Sequence, residues 1–162
     1  MATKKKALSK SKPAKRQQSI VPYLLYNDVA AALTWLKKAF GFEEHGDRFK
    51  GPDGKVAHAA MQLPSGGDLF MMGCPHRAYK NPRQLGIATQ MQYITVKEID
   101  RHFARAKKAG AKILEEPNDT FYGDRRYGAE DPEGHQWYFA EHVRDVSLAE
   151  MKKAMQSKKT DH

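Results

Sequence analysis

A single cysteine in 162 residues excludes two ways of holding a chain together. Cys74 has no partner for an internal disulfide, and a zinc cluster built on several thiolates cannot form. Such thrift with cysteine fits a reducing cytoplasm, and Cys74 itself is expected as a small, partly buried apolar residue. Long hydrophobic runs are missing too. None approaches the roughly 18 residues of a membrane span, and the N-terminus lacks the apolar stretch of a secretory signal. The expectation is a cytoplasmic protein with no membrane span. Aromatics are only 10% of the chain, but with 40% hydrophobic residues there is enough to build one ordinary domain core.

Acids are absent from the first 19 residues, which carry seven Lys or Arg. Residues 144–162 hold five basic residues against three acids, so residues 20–143 balance at sixteen of each, although the whole chain carries +9. Residues 1–18 therefore read as a basic tail with too little apolar surface to pack. Weak, salt-sensitive polyanion contact through residues 4–16 would follow, making a nucleic-acid-associated protein one alternative function, although no nucleic-acid-binding motif accompanies it.

What is present is a degenerate repeat. YLLYNDVAAALTWLKKAFGFEE (23–44) returns as YITVKEIDRHFARAKKAGAKILEE (93–116), pairing Tyr23 with Tyr93, Val29 with Ile99 and Leu33 with Phe103. A match over a strand, a helix and a glycine stop indicates duplication. Strands are expected at 19–25, 42–48, 55–63 and 68–72, with a helix at 29–39 capped by Asn27-Asp28 and ended by Gly41. After a linker at 74–88, strands at 91–96, 111–115, 125–130 and 136–141 and a helix at 99–109 repeat the order. The expected class is α+β: two βαβββ modules, at about 19–73 and 89–143, forming a curled mixed-sheet cup with helices outside. Together they make one domain, 19–147, followed by a C-terminal helix or tail at 148–162.

The YxxxND start, the GF after the helix and the stretch YGDRRYGAEDPEGHQWYFAEHV (122–143) resemble the vicinal oxygen chelate superfamily of glyoxalase I, bleomycin-resistance proteins and extradiol dioxygenases. The resemblance covers residues 19–147, and it implies a site inside the cup. Enzymes of that superfamily hold a metal through His and Glu. Here the resemblance puts those positions on Val21, Phe70 or Met71, Met91 and Tyr138, none a ligand for a borderline divalent ion. The histidines show no HxH or HxxxH spacing to replace them, and His102 is expected as a solvated helix residue. No metal and no cofactor is expected. No nucleophilic triad or dinucleotide fingerprint is visible, and Ser65-Gly66-Gly67 precedes a strand instead of the helix N-terminus a phosphate loop exploits.

Strand alternation would put Tyr23, Leu25, Met71, Met91, Tyr93, Gln136 and Tyr138 in the cup if the ligand positions face it. That wall is aromatic and methionine-rich, suited to a medium-sized organic molecule. Arg125 and His135 could orient an anionic or carbonyl oxygen, or Arg125 could instead fasten its turn by pairing with Asp124, Glu130 or Asp131. The expected function is metal-independent binding of a small aromatic or carbonyl-bearing molecule by a homodimer that completes the cup. A lyase, isomerase or dioxygenase with an unrecognised metal site is the enzymatic alternative.

Overall fold

The computed structural model describes residues 18–76 and 78–157; most of the basic tail, 1–17, and the last five residues lie outside them. The first unit runs β1 (Tyr23–Leu25), α1 (Val29–Phe40), β2 (Glu43–Glu44), β3 (Phe49–Lys50), β4 (Val56–Gln62) and β5 (Leu69–Gly73). Helix α1 begins because the Asp28 carboxylate accepts the Ala31 N–H at 2.9 Å. It stops at Gly41, whose φ of 76° suits a residue without Cβ. Its Leu33, Leu36 and Phe40 are buried.

A short helix α2 (Pro82–Leu85), opened by a reciprocal Asn81–Gln84 capping box, interrupts the expected linker. The second unit is β6 (Met91–Thr95), α3 (Ile99–Lys108), β7 (Lys112–Asp119), β8 (Asp124–Glu130) and β9 (Gln136–His142), followed by α4 (Leu148–Ser157). Strand order β6-β9-β8-β7 reproduces β1-β5-β4-β2. The register repeats as well: Tyr23 lies opposite Met71 in a parallel pair, as Tyr93 lies opposite Tyr138.

The fold is α+β, with two βαβββ units, but the strands form two unclosed mixed sheets instead of one. Side chains join them. Phe40, Phe42 and Phe70 of the first unit meet Trp137 and Phe139 of the second at ring-centroid distances between 4.7 and 5.6 Å, and all five are buried. The expected strand 42–48 shrinks to β2 because Phe42 turns into this cluster and Gly46 takes a left-handed φ of 71°. Strand β7 outruns its expected end. It carries Pro117 at the edge of the sheet, where register shifts absorb a residue that cannot donate.

The DPEG turn is the second joint between the units. Buried Asp131 accepts from the Tyr26 hydroxyl at 2.5 Å and from Trp137 Nε1 at 3.0 Å. Glu133 accepts from the backbone N–H of Asn27 and Asp28 and from the Asn81 side chain. The core thus carries a polar clasp whose donors all have acceptors. Two expectations fail locally. Cys74 is exposed, because it follows β5 beyond the sheet. His102 is packed, its ring 4.4 Å from that of Phe139, because α3 turns it toward α1.

Candidate functional site

Alternation along the strands gives each sheet a face turned away from the shared core. Leu24, Phe70 and Met72 are buried while Tyr23, Leu25 and Met71 between them keep solvent contact. In the second sheet Trp137 and Phe139 are buried, and Met91 and Tyr93 stand 54% and 46% exposed. Large apolar side chains left this open make these faces the candidate site.

On the first open face the Tyr23 hydroxyl meets His58 Nδ1 at 3.0 Å. The hydroxyl lies over Gly73, where a Cβ would stand 2.6 Å from it. Partial burial, with Cys74 adding a smaller effect, raises the Tyr23 pKa, so the hydroxyl stays protonated. The second face is richer. Register across β8 and β9 sets Asp124 opposite His142, Arg126 opposite Ala140 and Gly128 opposite Tyr138. Gly128 is what lets the Tyr138 ring lie flat on the sheet, since a Cβ there would come within 2.7 Å of it. The Arg126 guanidinium sits 5.2 Å from the centre of that ring, held by Glu115, which accepts from Nη2 at 2.9 Å and from Nε at 3.3 Å.

Beside it, Tyr93 donates to Asp124 at 3.0 Å, and the other Asp124 oxygen meets His142 Nδ1 at 3.0 Å. Partial burial first, then hydrogen bonds to Tyr122 and Asp124, push the Tyr93 pKa up. Hydrogen bonds to Asp124 and Asp145 raise that of His142. The face therefore presents an aromatic floor rimmed by Tyr93, His142 and Arg126, whose polar groups are engaged by Asp124, Asp145 and Glu115.

The expected site residues divide into three groups. Tyr23, Leu25 and Met71 share the first open face; Met91, Tyr93, Gln136 and Tyr138 share the second. The hydrogen bonds of Tyr23 and Tyr93 stay within their own units. Arg125 and His135 lie on neither face. Arg125 is in step with buried Tyr127 and Ala129 and turns toward α3, pairing with Asp100 at 3.0 Å and Asp119 at 2.9 Å; these, and not Asp124, Glu130 or Asp131, are its ion-pair partners. His135 is buried, with Nε2 2.8 Å from the Leu25 carbonyl, and completes the clasp between the units. Sequence reasoning passed over Arg126, Asp124, His142 and Gly128. Counting in twos along β8, away from apolar Tyr127 and Ala129, would have found Asp124, Arg126 and Gly128, and counting on from Tyr138 along β9 reaches His142.

The positions that the resemblance equates with metal ligands do not fit a metal. Phe70 is buried in the core, Met71 lies opposite Tyr23, Met91 offers only a thioether, and Tyr138 supplies one phenol with no imidazole or carboxylate of the expected ligand set beside it. Among the described residues no group of three or more His, Cys, Asp or Glu is placed to hold an ion, and no helix is long and apolar enough to cross a membrane.

Comparisons with known proteins agree with this geometry. A family model described as Glyoxalase/Bleomycin resistance protein/Dioxygenase superfamily matches residues 17–139. An uncharacterized protein of Mycobacterium bovis is 33% identical over 144 residues, 87% of this chain and 94% of that protein. The crystal structure of TioX from Micromonospora sp. ML1 superposes with a TM-score of 0.63 at 31% identity, over 78% of this chain and all of the other. A glyoxalase/bleomycin resistance protein/dioxygenase family enzyme from Burkholderia phytofirmans PsJN shares the fold, with a TM-score of 0.56 at 17% identity over 75% of this chain and 95% of that one.

Proposed function

The chain belongs to the glyoxalase/bleomycin resistance protein/dioxygenase superfamily, and from that premise we propose that it binds a small aromatic or carbonyl-bearing organic molecule without a resident metal. The observation that carries this reading is the second open face, where Met91, Tyr93 and Tyr138 present an apolar floor edged by the Tyr93 hydroxyl and Arg126. Stacking on Tyr138 would supply contact area, and an Nη1 N–H of Arg126 not taken by Glu115 or Tyr122 would orient a carbonyl or carboxylate oxygen. Neutral or anionic aromatics suit this surface better than cations, because Arg126 already occupies the rim of the Tyr138 ring.

One face is half a site. A second copy of the chain, laying its Tyr23, Leu25 and Met71 over the first copy's Met91, Tyr93 and Tyr138, would enclose the ligand and cover both apolar faces. Its two-fold form would build two such sites at once. Sedimentation equilibrium tests this: a mass near twice 18.4 kDa is expected, and a monomer at all concentrations overturns it. Titration of aromatic acids, neutral aromatics and aromatic amines, followed through Trp137 fluorescence, tests the ligand class, with the amines expected to bind weakest. Tyr138→Ala should weaken binding about tenfold or more with the melting temperature largely kept. Elemental analysis after dialysis should find no stoichiometric transition metal; about one per chain, lost together with activity on chelation, would overturn the metal-free reading.

A further inference from the structure

A cavity lies where the two units meet, with Thr95 at the end of β6 the one lining residue in step with Met91 and Tyr93. Its volume is about 420 Å³, and it is lined by Phe40, Gly41, Leu63, Val96 and His102, with Ser65, Lys97 and Arg105 at its polar wall. The first unit contributes the end of α1 and the turn after β4; the second contributes the turn between β6 and α3 and one face of α3. No acid lines it. Every other arginine on the second sheet and α3 has a carboxylate within reach, Arg101 with Glu98, Arg125 with Asp100 and Asp119, and Arg126 with Glu115. Arg105 is the exception, and Lys97 is likewise without a carboxylate among the described residues.

The exposed Arg105 side chain reaches across the end of α1, and its Nη1 lies in the space over Gly41 that a Cβ there would share. Lys97 is held by its turn. Val96 N–H donates to Ala140, the Glu141 carboxylate accepts from the N–H of Glu98 and Ile99, and Glu98 takes a left-handed φ of 54°, rare for a residue with a side chain. His102 also lines the cavity, its ring stacked on that of Phe40. Its Nε2 donates to the Phe40 carbonyl at 2.9 Å and its Nδ1 accepts from the Tyr127 hydroxyl at 2.7 Å. Both nitrogens are engaged and the ring is neutral, so it offers a ligand a flat surface and no further charge.

We propose that this junction cavity binds a small organic oxyanion, a carboxylate or phosphate monoester with an apolar body: the oxyanion lies between Lys97 and Arg105 and the body on Phe40, Leu63 and Val96. Two cations without acids in the lining of one cavity with an apolar floor recognise that combination and disfavour both cations and bare inorganic ions. Since walls come from both units, the bound ligand would also tie them together and raise the melting temperature.

The test is an amide NMR titration of the full chain with phenyl phosphate, benzoate, inorganic phosphate and benzylamine. Phenyl phosphate or benzoate should move the Gly41, Ser65 and Lys97 amides in a saturable way. Lys97→Glu and Arg105→Glu should each weaken that response at least fivefold. Lys97 is exposed, so Lys97→Glu keeps the test open if Arg105→Glu fails to fold. Tyr138→Ala should leave the response unchanged, which separates this cavity from the open faces. Shifts confined to residues 4–16 or to the Tyr93 and Tyr138 strands would overturn the proposal. So would equal shifts with benzylamine or inorganic phosphate, or unaltered binding by Lys97→Glu.

Discussion

His102 and Asp131 carry the strongest residue-level consequences, because both are polar groups placed inside the packing. Burial pushes the His102 pKa down from 6.5 to about 4, outweighing the Phe40 hydrogen bond that opposes the shift. In the unfolded chain the same imidazole takes up its proton near its ordinary value. Its folded pKa is the lower of the two, so the stability it contributes is complete above pH 6.5 and is lost as pH falls toward about 4. The loss is on the order of 3 kcal/mol. His142 works in the opposite sense: its raised pKa adds stability below its ordinary value and loses it as pH climbs. Urea unfolding at pH 7 and pH 4.5 should therefore show a smaller acid loss in His102→Gln than in the parent, with His142 common to both. Asp131→Ala should cost about 3 kcal/mol or more, since Tyr26 and Trp137 would keep buried donors with no acceptor. Denaturant midpoints read it directly.

Among the elements, α1 and β8 show how local chemistry sets geometry. Asp28→Ala removes the side-chain cap of α1 and should cost about 1 kcal/mol, seen as a melting temperature lower by about 2–4 °C. Gly128→Val tests a different property. The new side chain would displace the Tyr138 ring that now lies over Gly128, so aromatic binding should fall about tenfold or more while far-ultraviolet circular dichroism retains the sheet signal. Helix α3 is a lesson in what a pattern conceals. It buries only Ile99 and Ala106 fully, and reads as a charged, solvated helix, yet α1 covers it closely enough to enclose His102.

For the whole molecule, charge is separated along the chain. Deleting residues 1–17 removes all seven cations of the N-terminal segment and should abolish most heparin retention at moderate salt without lowering the melting temperature. The cut must stop before Gln18, whose side chain bridges to the Leu69 backbone at 2.7 and 3.0 Å. Unchanged retention after the deletion would require a folded basic surface that the balance of residues 20–143 does not suggest.

The duplication, the α+β class, the start and stop of α1 and the separation of tail charge from core charge follow from local signals, and all could be read in one dimension. Periodicity put Met91 in step with Tyr93, and Gln136 in step with Tyr138, because alternation along a strand needs no tertiary knowledge, but it left open that Tyr23 belongs to the other sheet's face. What it could not supply was which face of β8 looks into the open, since Arg125 and Arg126 are adjacent and equally plausible until the sheet meets α3. Nor could it tell that His135 and Asp131 serve the joint between the units, which depends on Tyr26 and Leu25 more than a hundred residues away in sequence. Those assignments belong to the tertiary structure, because burial and partnership are set by which distant surfaces come together in packing.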